Sequence, residues 1–200
     1  FQVQPIIGKM ILPWFGGSPA VWTTCMLFFQ VLLLAGYAYA RMKFRGQTAI
    51  FGILLVTMFL PGVMFLIPNF LTVNALGWMN SYAGVMAPAI SGVFGVFFMR
   101  QFFLSLPREL EEAAYIDGAT RLQTFRFIAL PLAKPALATL GIITFLAAWN
   151  DFLWPLLVLK DRNLLTLPPG LAQLQGAYTS EYGQMMAGAV ITAAPVLILY

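Results

Sequence analysis

The sequence contains no histidine and only one cysteine, Cys25, among its 200 residues. Without histidine, the usual base of a nucleophile–base pair and the commonest nitrogen ligand of a zinc site are both missing. One cysteine excludes a disulfide within the chain, and its position in an apolar run is typical of a small buried side chain. The glycines form no G-x-x-x-x-G-K-[ST] nucleotide-binding loop. We therefore predict no catalytic residue, no cofactor site and no metal site on this chain.

Charged residues are scarce as well. They make up 9% of the chain, whereas soluble domains carry roughly 25%. Hydrophobic residues make up 60%, and the mean hydropathy is +0.84. The net charge of +4 arises from short basic clusters between apolar runs, and no acidic residue precedes Glu109. Such clusters are typical of cytoplasmic loops and not of a nucleic-acid-binding surface. The composition predicts an all-α, polytopic membrane protein embedded in a lipid bilayer, without a nucleic-acid partner.

Five apolar stretches approach the ~20 residues with which an α-helix crosses a bilayer. They occupy residues 21–40, 48–68, 81–99, 135–159 and 185–200. Of the 11 Lys and Arg residues, three lie at 41–45 and five at 100–134, and the alternate loops hold the other three. The positive-inside rule therefore places 41–47 and 100–134 in the cytoplasm, and 1–19, 69–80 and 160–184 outside. The short final run and the absence of an initial Met suggest a piece of a longer protein.

The longest polar segment, EEAAYIDGATRLQTFRFIALPLAKP, occupies residues 111–135. Pro107 and the glutamates that follow it favour the start of a short helix, because proline and negative charge both suit a first helical turn. Gly118 is suited to end that helix in a left-handed conformation. Thr120-x-x-Gln123 is a capping-box pattern for a second helix. The segment predicts two short helices joined at a sharp bend on the cytoplasmic face.

Proline limits the second of these helices. Pro131 is expected to end it, and Pro135 to begin the next membrane span. The residues alone leave two interpretations open: a solvated loop with ordinary caps, or a docking surface where small side chains let another protein approach. Glu112 and Asp117 lie close in sequence, but without metal ligands or a histidine we do not expect them to act as an acid–base pair.

The segment resembles the cytoplasmic signature of ATP-binding-cassette (ABC) importer permeases, E-A-A-x-x-D-G-A followed by F, I, L-P and P. The matching positions are Glu112, Ala113, Ala114, Asp117, Gly118, Ala119, Phe125, Ile128, Leu130, Pro131 and Pro135. In that family the segment is the coupling helix, which docks in a groove of the ATPase subunit. The resemblance implies that the first six of these positions are ATPase-docking residues and that the helix at 109–118 transmits ATPase closure. It also implies that ATP is hydrolysed on a separate subunit, so that this chain is not an enzyme.

The resemblance extends to the carbohydrate branch of the family, which contains the maltose permease subunits, over residues 36–200. MRQFFLSLPRELEEAAYIDGA and AWNDFLWPLLVLKDRNLLTLPPGLAQLQGAY carry it. It implies the membrane-spanning subunit of an importer for a sugar or oligosaccharide in the bacterial cytoplasmic (inner) membrane. The implied partners are an ABC ATPase dimer, a second permease subunit and an extracytoplasmic solute-binding protein.

The front of the chain, PIIGKMILPWFGGSPAVWTTCMLFFQVLLLAGYAYA, is similar instead to the first membrane spans of polytopic spermidine-synthase-like proteins. This second resemblance predicts a boundary between a segment at 1–40 of different origin and a permease domain at 41–200 that is incomplete at its C-terminus. Two alternatives follow from it. The chain is then either a membrane anchor or scaffold of the spermidine-synthase-like type, or a non-functional chimeric fragment.

Trp149, Asn150 and Asp151 place polar groups inside the apolar stretch 135–159. A charge within a membrane is costly and usually faces a cavity or a partner. Asp151 lies 16 residues after Pro135, which is about 24 Å along a helix and so toward the outer third of the span. Two roles remain open for the three residues: lining a substrate path, or bracing the outer end of the helix bundle. The resemblance favours the path.

Overall fold

The computed structural model describes residues 19–174 and 182–199, and within these ranges every regular element is helical. The predicted all-α fold class is confirmed. Residues 1–18 of the predicted front segment, residues 175–181 of the predicted outer loop, Tyr200 and the side chain of Cys25 lie outside this description. The α-helices are α1 (Pro19–Arg41), α2 (Gln47–Met58), α3 (Leu66–Ala75), α4 (Tyr82–Met86), α5 (Val93–Ser105), α6 (Glu109–Ile116), α7 (Arg121–Thr124), α8 (Leu130–Leu132), α9 (Lys134–Trp149), α10 (Leu153–Val158), α11 (Leu167–Leu174) and α12 (Tyr182–Leu199).

Shorter helical turns connect several of these helices. Three are 3₁₀ turns, at Gly62–Phe65, Ala87–Ser91 and Arg162–Leu164. One is a π-helical stretch, Phe125–Ala129, which joins α7 to α8. Such turns satisfy backbone groups where a regular α-helix is interrupted.

Within the described residues, no single helix has both the length and the apolar composition to cross a bilayer. Three pairs of successive helices meet the requirement together, each with a bend between its two members. The pairs are Gln47–Met58 with Gly62–Ala75, Tyr82–Ala89 with Val93–Ser105, and Arg121–Leu132 with Lys134–Trp149. Two expected spans, 48–68 and 81–99, are therefore interrupted helices.

Prolines account for some of these breaks. α2 ends at Met58, shortly before Pro61, whose missing N–H cannot continue a helix. Pro88 lies within the 3₁₀ turn Ala87–Ser91. Pro155, in contrast, lies in the first turn of α10, where proline needs no backbone partner. The chain has already left the helix at Trp149, so Pro155 does not kink the expected span at 135–159.

The described residues form two compact units: those up to Pro61 together with Ser91–Gly141, and Gly62–Ile90 together with those from Ile142 onward. In the first unit α1 packs closely along α5. A Cβ atom on Gly36 would lie 2.7 Å from the Cβ atom of Met99, and one on Gly95 would lie 2.5 Å from a methyl group of Leu32. Glycine therefore sets the distance between the two helices, as small residues do in membrane helix pairs.

Aromatic side chains complete the core of this first unit beside α7 and the π-helical stretch. The Tyr37 ring lies 5.3 Å from the Phe103 ring, edge to face, and 4.8 Å from the Phe125 ring. Leu140 of α9 closes the same cluster and is fully buried. Because Tyr37 belongs to α1 and Phe125 follows α7, this core holds the polar segment against the first helix.

The second unit is organised around Trp154 of α10. Its indole N–H donates to the carbonyl oxygens of Val85 at 3.1 Å and of Gly84 at 3.3 Å. A Cβ atom on Gly84 would collide with the carbonyl oxygen of Trp78 and approach the buried Val73 and Val158. The close approach of α4 to its neighbours therefore requires glycine at position 84.

Candidate docking helix and substrate path

The candidate docking site is built on α6, whose ends are defined by the sequence around them. Leu106 is extended, with φ −70° and ψ 138°, because a residue before proline is driven out of the helical region. Pro107 therefore precedes the helix and does not occupy its first turn as expected. Glu109, Glu111 and Glu112 lie in that first turn, where their negative charges interact favourably with the positive end of the helix dipole.

A Schellman motif ends α6 at the predicted glycine. Gly118 has φ +82°, and this left-handed conformation is confirmed. The Gly118 N–H donates to the Tyr115 carbonyl at 3.1 Å, and the Ala119 N–H donates to the Ala114 carbonyl at 2.9 Å. These two bonds satisfy carbonyls that the end of a helix leaves unpaired. The bend is thus a fixed turn that requires glycine.

The capping box predicted for the second helix is also confirmed. The Thr120 N–H donates to Oε1 of Gln123 at 2.7 Å, and the Gln123 N–H donates to Oγ1 of Thr120 at 3.4 Å. The prediction for Pro131 was wrong, because Pro131 lies inside α8 and does not end the helical path. The helix accommodates Pro131 because the preceding stretch is π-helical, with the Leu130 N–H donating to the Phe125 carbonyl.

The six predicted docking residues do not share one environment. Glu112, Ala113, Asp117 and Gly118 are exposed, and Ala119 is half-buried. Ala114 is buried against its own chain, so it lets α6 approach the core and offers little surface to another protein.

Exposed apolar side chains surround these residues. Ile116, at the end of α6, has 86% of its surface exposed, and Leu122 and Phe127 of the second helix have 71% and 69%. Three apolar positions of the signature, Phe125, Ile128 and Leu130, follow the start of this second helix. Of these Phe125 is buried and the other two are half-buried. The exposed residues lie on the opposite side, where only the three-dimensional arrangement identifies them.

An ion pair that the sequence did not reveal anchors α6. Nε of Arg41 lies 3.2 Å from Oε1 of Glu111, and the two side chains are only 6% and 11% exposed. The two atoms face each other as charges, without the angle of a linear hydrogen bond. Arg41 also donates from Nη2 to the Leu106 carbonyl at 2.6 Å. The end of α1, the α5–α6 connection and α6 are therefore joined at one arginine.

From the sequence alone, Arg41 was predicted only to be one of several basic residues in a cytoplasmic loop. The available signal was the position of Glu111, which precedes the signature and lies three residues before the buried Ala114. Residues at this spacing share a helix face. A carboxylate on the buried face of a helix needs a cationic partner.

The candidate substrate-path residues mark the end of α9. Trp149 is its last residue and donates from Nε1 to the Thr192 carbonyl at 3.0 Å. Asn150 is exposed and donates from Nδ2 to the Leu146 carbonyl at 2.8 Å. Asp151 is half-buried, and its Oδ1 accepts from the Trp154 N–H at 3.4 Å. The three residues therefore occupy a break between α9 and α10, not the middle of a span.

A groove of about 390 Å³ opens beside this break. Asn150 lines it together with Leu171, Ala189, Thr192, Ala193, Val196 and Leu197. The lining is largely apolar, with the Asn150 amide and the Thr192 hydroxyl as its polar side-chain groups. Among the residues that the structure describes, no three carboxylate or thiol groups come together as metal ligands.

Comparison with known proteins identifies the family. Residues 32–200 match the family described as "Binding-protein-dependent transport system inner membrane component". The arabinooligosaccharides transport system permease protein AraQ of Halalkalibacterium halodurans is 40% identical over 94% of this chain and 67% of its own length. AraQ of Bacillus subtilis is 37% identical over 96% of this chain and 69% of its own length.

Further relatives and a solved structure agree. The sn-glycerol-3-phosphate transport system permease protein UgpE of Salmonella typhi is 37% identical over 84% of this chain and 61% of its own length. The crystal structure of a bacterial ABC transporter involved in the import of the acidic polysaccharide alginate superposes with a TM-score of 0.73 at 25% identity. That match covers all of this chain and 77% of the other.

These comparisons bear on the front of the chain. The AraQ alignments cover more than nine tenths of the chain, so they include most of residues 1–40. Helix α1 also runs without interruption across position 40. A separate origin for residues 1–40 stays a prediction that these comparisons do not support. The chain belongs to the family of binding-protein-dependent transport system inner membrane components, the permeases of ABC importers, and is a membrane protein of transport and not an enzyme.

Proposed function

We propose that the chain is the membrane-spanning permease subunit of an ATP-driven importer for a sugar or oligosaccharide. The names of the AraQ relatives, which transport arabinooligosaccharides, support this substrate class. ATP is hydrolysed on a separate ABC ATPase dimer, a second permease subunit completes the membrane pathway, and an extracytoplasmic solute-binding protein delivers the substrate. The chain spans about two thirds of the length of the AraQ proteins, so these partners are proposed for the whole protein.

The observation that carries the coupling role is the geometry of α6. One face of the helix presents Glu112 and Ala113 to solvent, and Asp117 is exposed beside the rigid turn at Gly118 that ends it. Small side chains permit a close approach, and the exposed Ile116 offers apolar surface for burial. The opposite face is fixed to the membrane helices through Glu111 and Arg41. A groove on the ATPase that grips the exposed face therefore moves α1 and α5 with it.

The proposed topology places residues 41–47 and 100–134 in the cytoplasm and 69–80 and 160–184 outside, with about five membrane passes. Contacts within each unit support this arrangement. Arg41 contacts Leu106 and Glu111, so the two predicted cytoplasmic loops meet. In the other unit Oδ1 of Asn80 accepts from the N–H groups of Lys160 and Asp161 at 2.9 Å. Loops assigned to the same side of the membrane thus come together.

We further propose that Trp149, Asn150 and Asp151 lie along the substrate path. Their position at a helix break supports this assignment, because irregular backbone at membrane depth is tolerated where it lines a cavity. The groove beside Asn150 combines apolar wall with a few polar groups, as sugar-binding surfaces require for orientation. Within this group Asp151 also caps α10.

Substitution of Gly118 tests the coupling role. Alanine at this position has no steric obstacle within 4 Å, but it must adopt φ +82° at a cost of about 1–2 kcal/mol. Gly77 is a matched control, since it has φ +69° and equally open surroundings in a predicted outer loop. We expect Gly118→Ala to reduce co-purification with the ATPase of the same transport system and to lower transport. Gly77→Ala should leave the complex intact.

Two results would contradict the proposal. One is a complex with the ATPase that is indifferent to Gly118→Ala and also to the more disruptive Gly118→Pro, which removes the bond to the Tyr115 carbonyl. The other is equal loss of the complex in the Gly118 and Gly77 variants, because that would indicate general instability and not a docking defect.

A further inference from the structure

A second cavity, of about 350 Å³, lies beside the N-terminal end of α6. The end of α1, the α1–α2 loop, the start of α2, Arg100 of α5 and the first turn of α6 surround it. Its ionisable lining consists of Arg41, Lys43, Arg100, Arg108, Glu111, Glu112, Tyr39 and Tyr115. Four cations therefore face two carboxylates, which leaves the cavity with an excess of two positive charges.

The two carboxylates do not neutralise the cations evenly. Glu111 is committed to Arg41 at 3.2 Å. In the part of the chain that the structure describes, Lys43, Arg100 and Arg108 form no ion pair with a carboxylate. Three cations thus share the cavity with the single remaining acid, Glu112, which is exposed to solvent. Such a concentration of like charge makes the potential in the cavity positive, which attracts an anion from outside the chain.

Arg100 is held in place for such an anion. Its guanidinium carbon lies 4.2 Å from the centre of the Phe51 ring, and its Nε donates to the Tyr39 carbonyl at 3.3 Å. A stacked guanidinium with one nitrogen committed keeps its other N–H groups aligned in a fork, which matches two oxygens of a phosphate. Lys43 and Arg108 are exposed and extend from the rim, where flexible cations adapt to the ligand.

We propose that this cavity is a phosphate-binding site, which takes either the headgroup of an anionic phospholipid or a soluble phosphate. Arg100 binds phosphate oxygens from the floor, and Lys43 and Arg108 bind from the rim. Basic pockets between membrane helices on the cytoplasmic side bind lipid headgroups in the same way. The lipid source rests on the topology proposed above, whereas the phosphate chemistry does not.

Direct binding to the purified full-length chain tests the site. The probes are inorganic phosphate, short-chain phosphatidylglycerol and, as a zwitterionic control, short-chain phosphatidylcholine. The variant is Lys43→Gln with Arg108→Gln. Its matched control is Arg45→Gln with Arg121→Gln, which removes the same charge from exposed positions that do not line the cavity. The readout is the apparent dissociation constant by microscale thermophoresis, so it is independent of transport and of the ATPase.

We expect the cavity variant to bind phosphatidylglycerol about 30-fold more weakly, since each basic residue near an anionic lipid contributes about 1 kcal/mol. The control double variant should retain its affinity, and Lys43→Arg with Arg108→Lys should restore binding. Competition by inorganic phosphate would assign the site to soluble phosphate, and binding of the lipid alone would assign it to a headgroup; both outcomes support the site. Equal losses in the two double variants, equal binding of phosphatidylcholine, or no binding of either anion would overturn it.

Discussion

Arg41 and Glu111 meet at 3.2 Å in a largely buried ion pair that joins the last turn of α1 to the first turn of α6. Through this pair the proposed docking helix α6 is attached to the membrane helix α1. Charge alone does not make it stabilising, because taking two ions out of water costs about as much as their attraction returns. Its contribution lies in holding α6 in one orientation, which the bond from Arg41 to the Leu106 carbonyl reinforces.

Glu111→Gln should therefore destabilise the chain by roughly 3 kcal/mol, because it leaves the buried Arg41 without a counter-charge. The midpoint of thermal unfolding in detergent, followed by tryptophan fluorescence, measures the effect. Glu112→Gln is the control: Glu112 is adjacent but exposed, and its replacement should change stability by less than about 0.5 kcal/mol. The double variant Arg41→Gln with Glu111→Gln should recover part of the loss. Equal effects of the two single changes would show that the ion pair has no special role.

Gly36→Ala should weaken the packing of α1 on α5. The added methyl group would lie 2.7 Å from the Met99 Cβ atom and 3.1 Å from the Arg100 backbone nitrogen. Backbone cannot move aside cheaply, so we expect a loss of about 2 kcal/mol, measured as a lower unfolding midpoint. Gly52→Ala in α2 has nothing within 4 Å and should be neutral or slightly stabilising. A neutral Gly36→Ala would mean that the two helices are not in contact at this point.

Asn80→Ala should loosen the connection between the two predicted outer loops. Asn80 has φ +55°, which asparagine tolerates better than alanine. Its Oδ1 accepts from two N–H groups, those of Lys160 and Asp161. We expect faster hydrogen exchange at these two amides and a loss of roughly 1 kcal/mol, because the site is exposed and water replaces part of the bonding.

Two variants make the Asn80 experiment selective. Asn80→Asp keeps the acceptor oxygen and should keep the protection, whereas Asn74→Ala, an exposed change in the preceding helix α3, should leave both amides unaffected. Unchanged exchange in Asn80→Ala would show that the side-chain bonds do not hold the loops.

Asn150→Ala should alter transport more than stability. Its amide is exposed and, among the described residues, donates to the nearby Leu146 carbonyl of α9, so its loss costs little folding free energy. If it lies on the substrate path, the loss of a hydrogen bond to sugar should raise the KM of uptake by about 10-fold. Uptake by the complete transporter in proteoliposomes measures this. Thr139→Ala, an exposed change in the preceding helix α9, should leave KM unchanged, and the same KM in both variants would remove Asn150 from the path.

Local features of this protein followed from its sequence because short-range sterics and hydrogen bonding decide them. Gly118 alone permits the left-handed turn that ends α6. Thr120 and Gln123 form a capping box because their side chains are three residues apart at a helix start. The scarcity of charge identified lipid as the solvent, since a chain with 9% charged residues cannot cover a soluble surface. The signature residues were likewise visible, but their outward or inward direction was not.

The tertiary structure decided the features that join distant parts of the chain. Arg41 bonds to Leu106, 65 residues away in sequence, and Asn80 bonds to Lys160, 80 residues away. Helix packing brings these segments together, and no local sequence pattern predicts such a contact. Packing also turned Ala114 inward and Ile116 outward, although both belong to one short helix. The sequence by itself determined the class of the protein and the turns of the segment proposed for docking. Only the packing of helices determined which face of that segment is anchored and which is exposed to solvent.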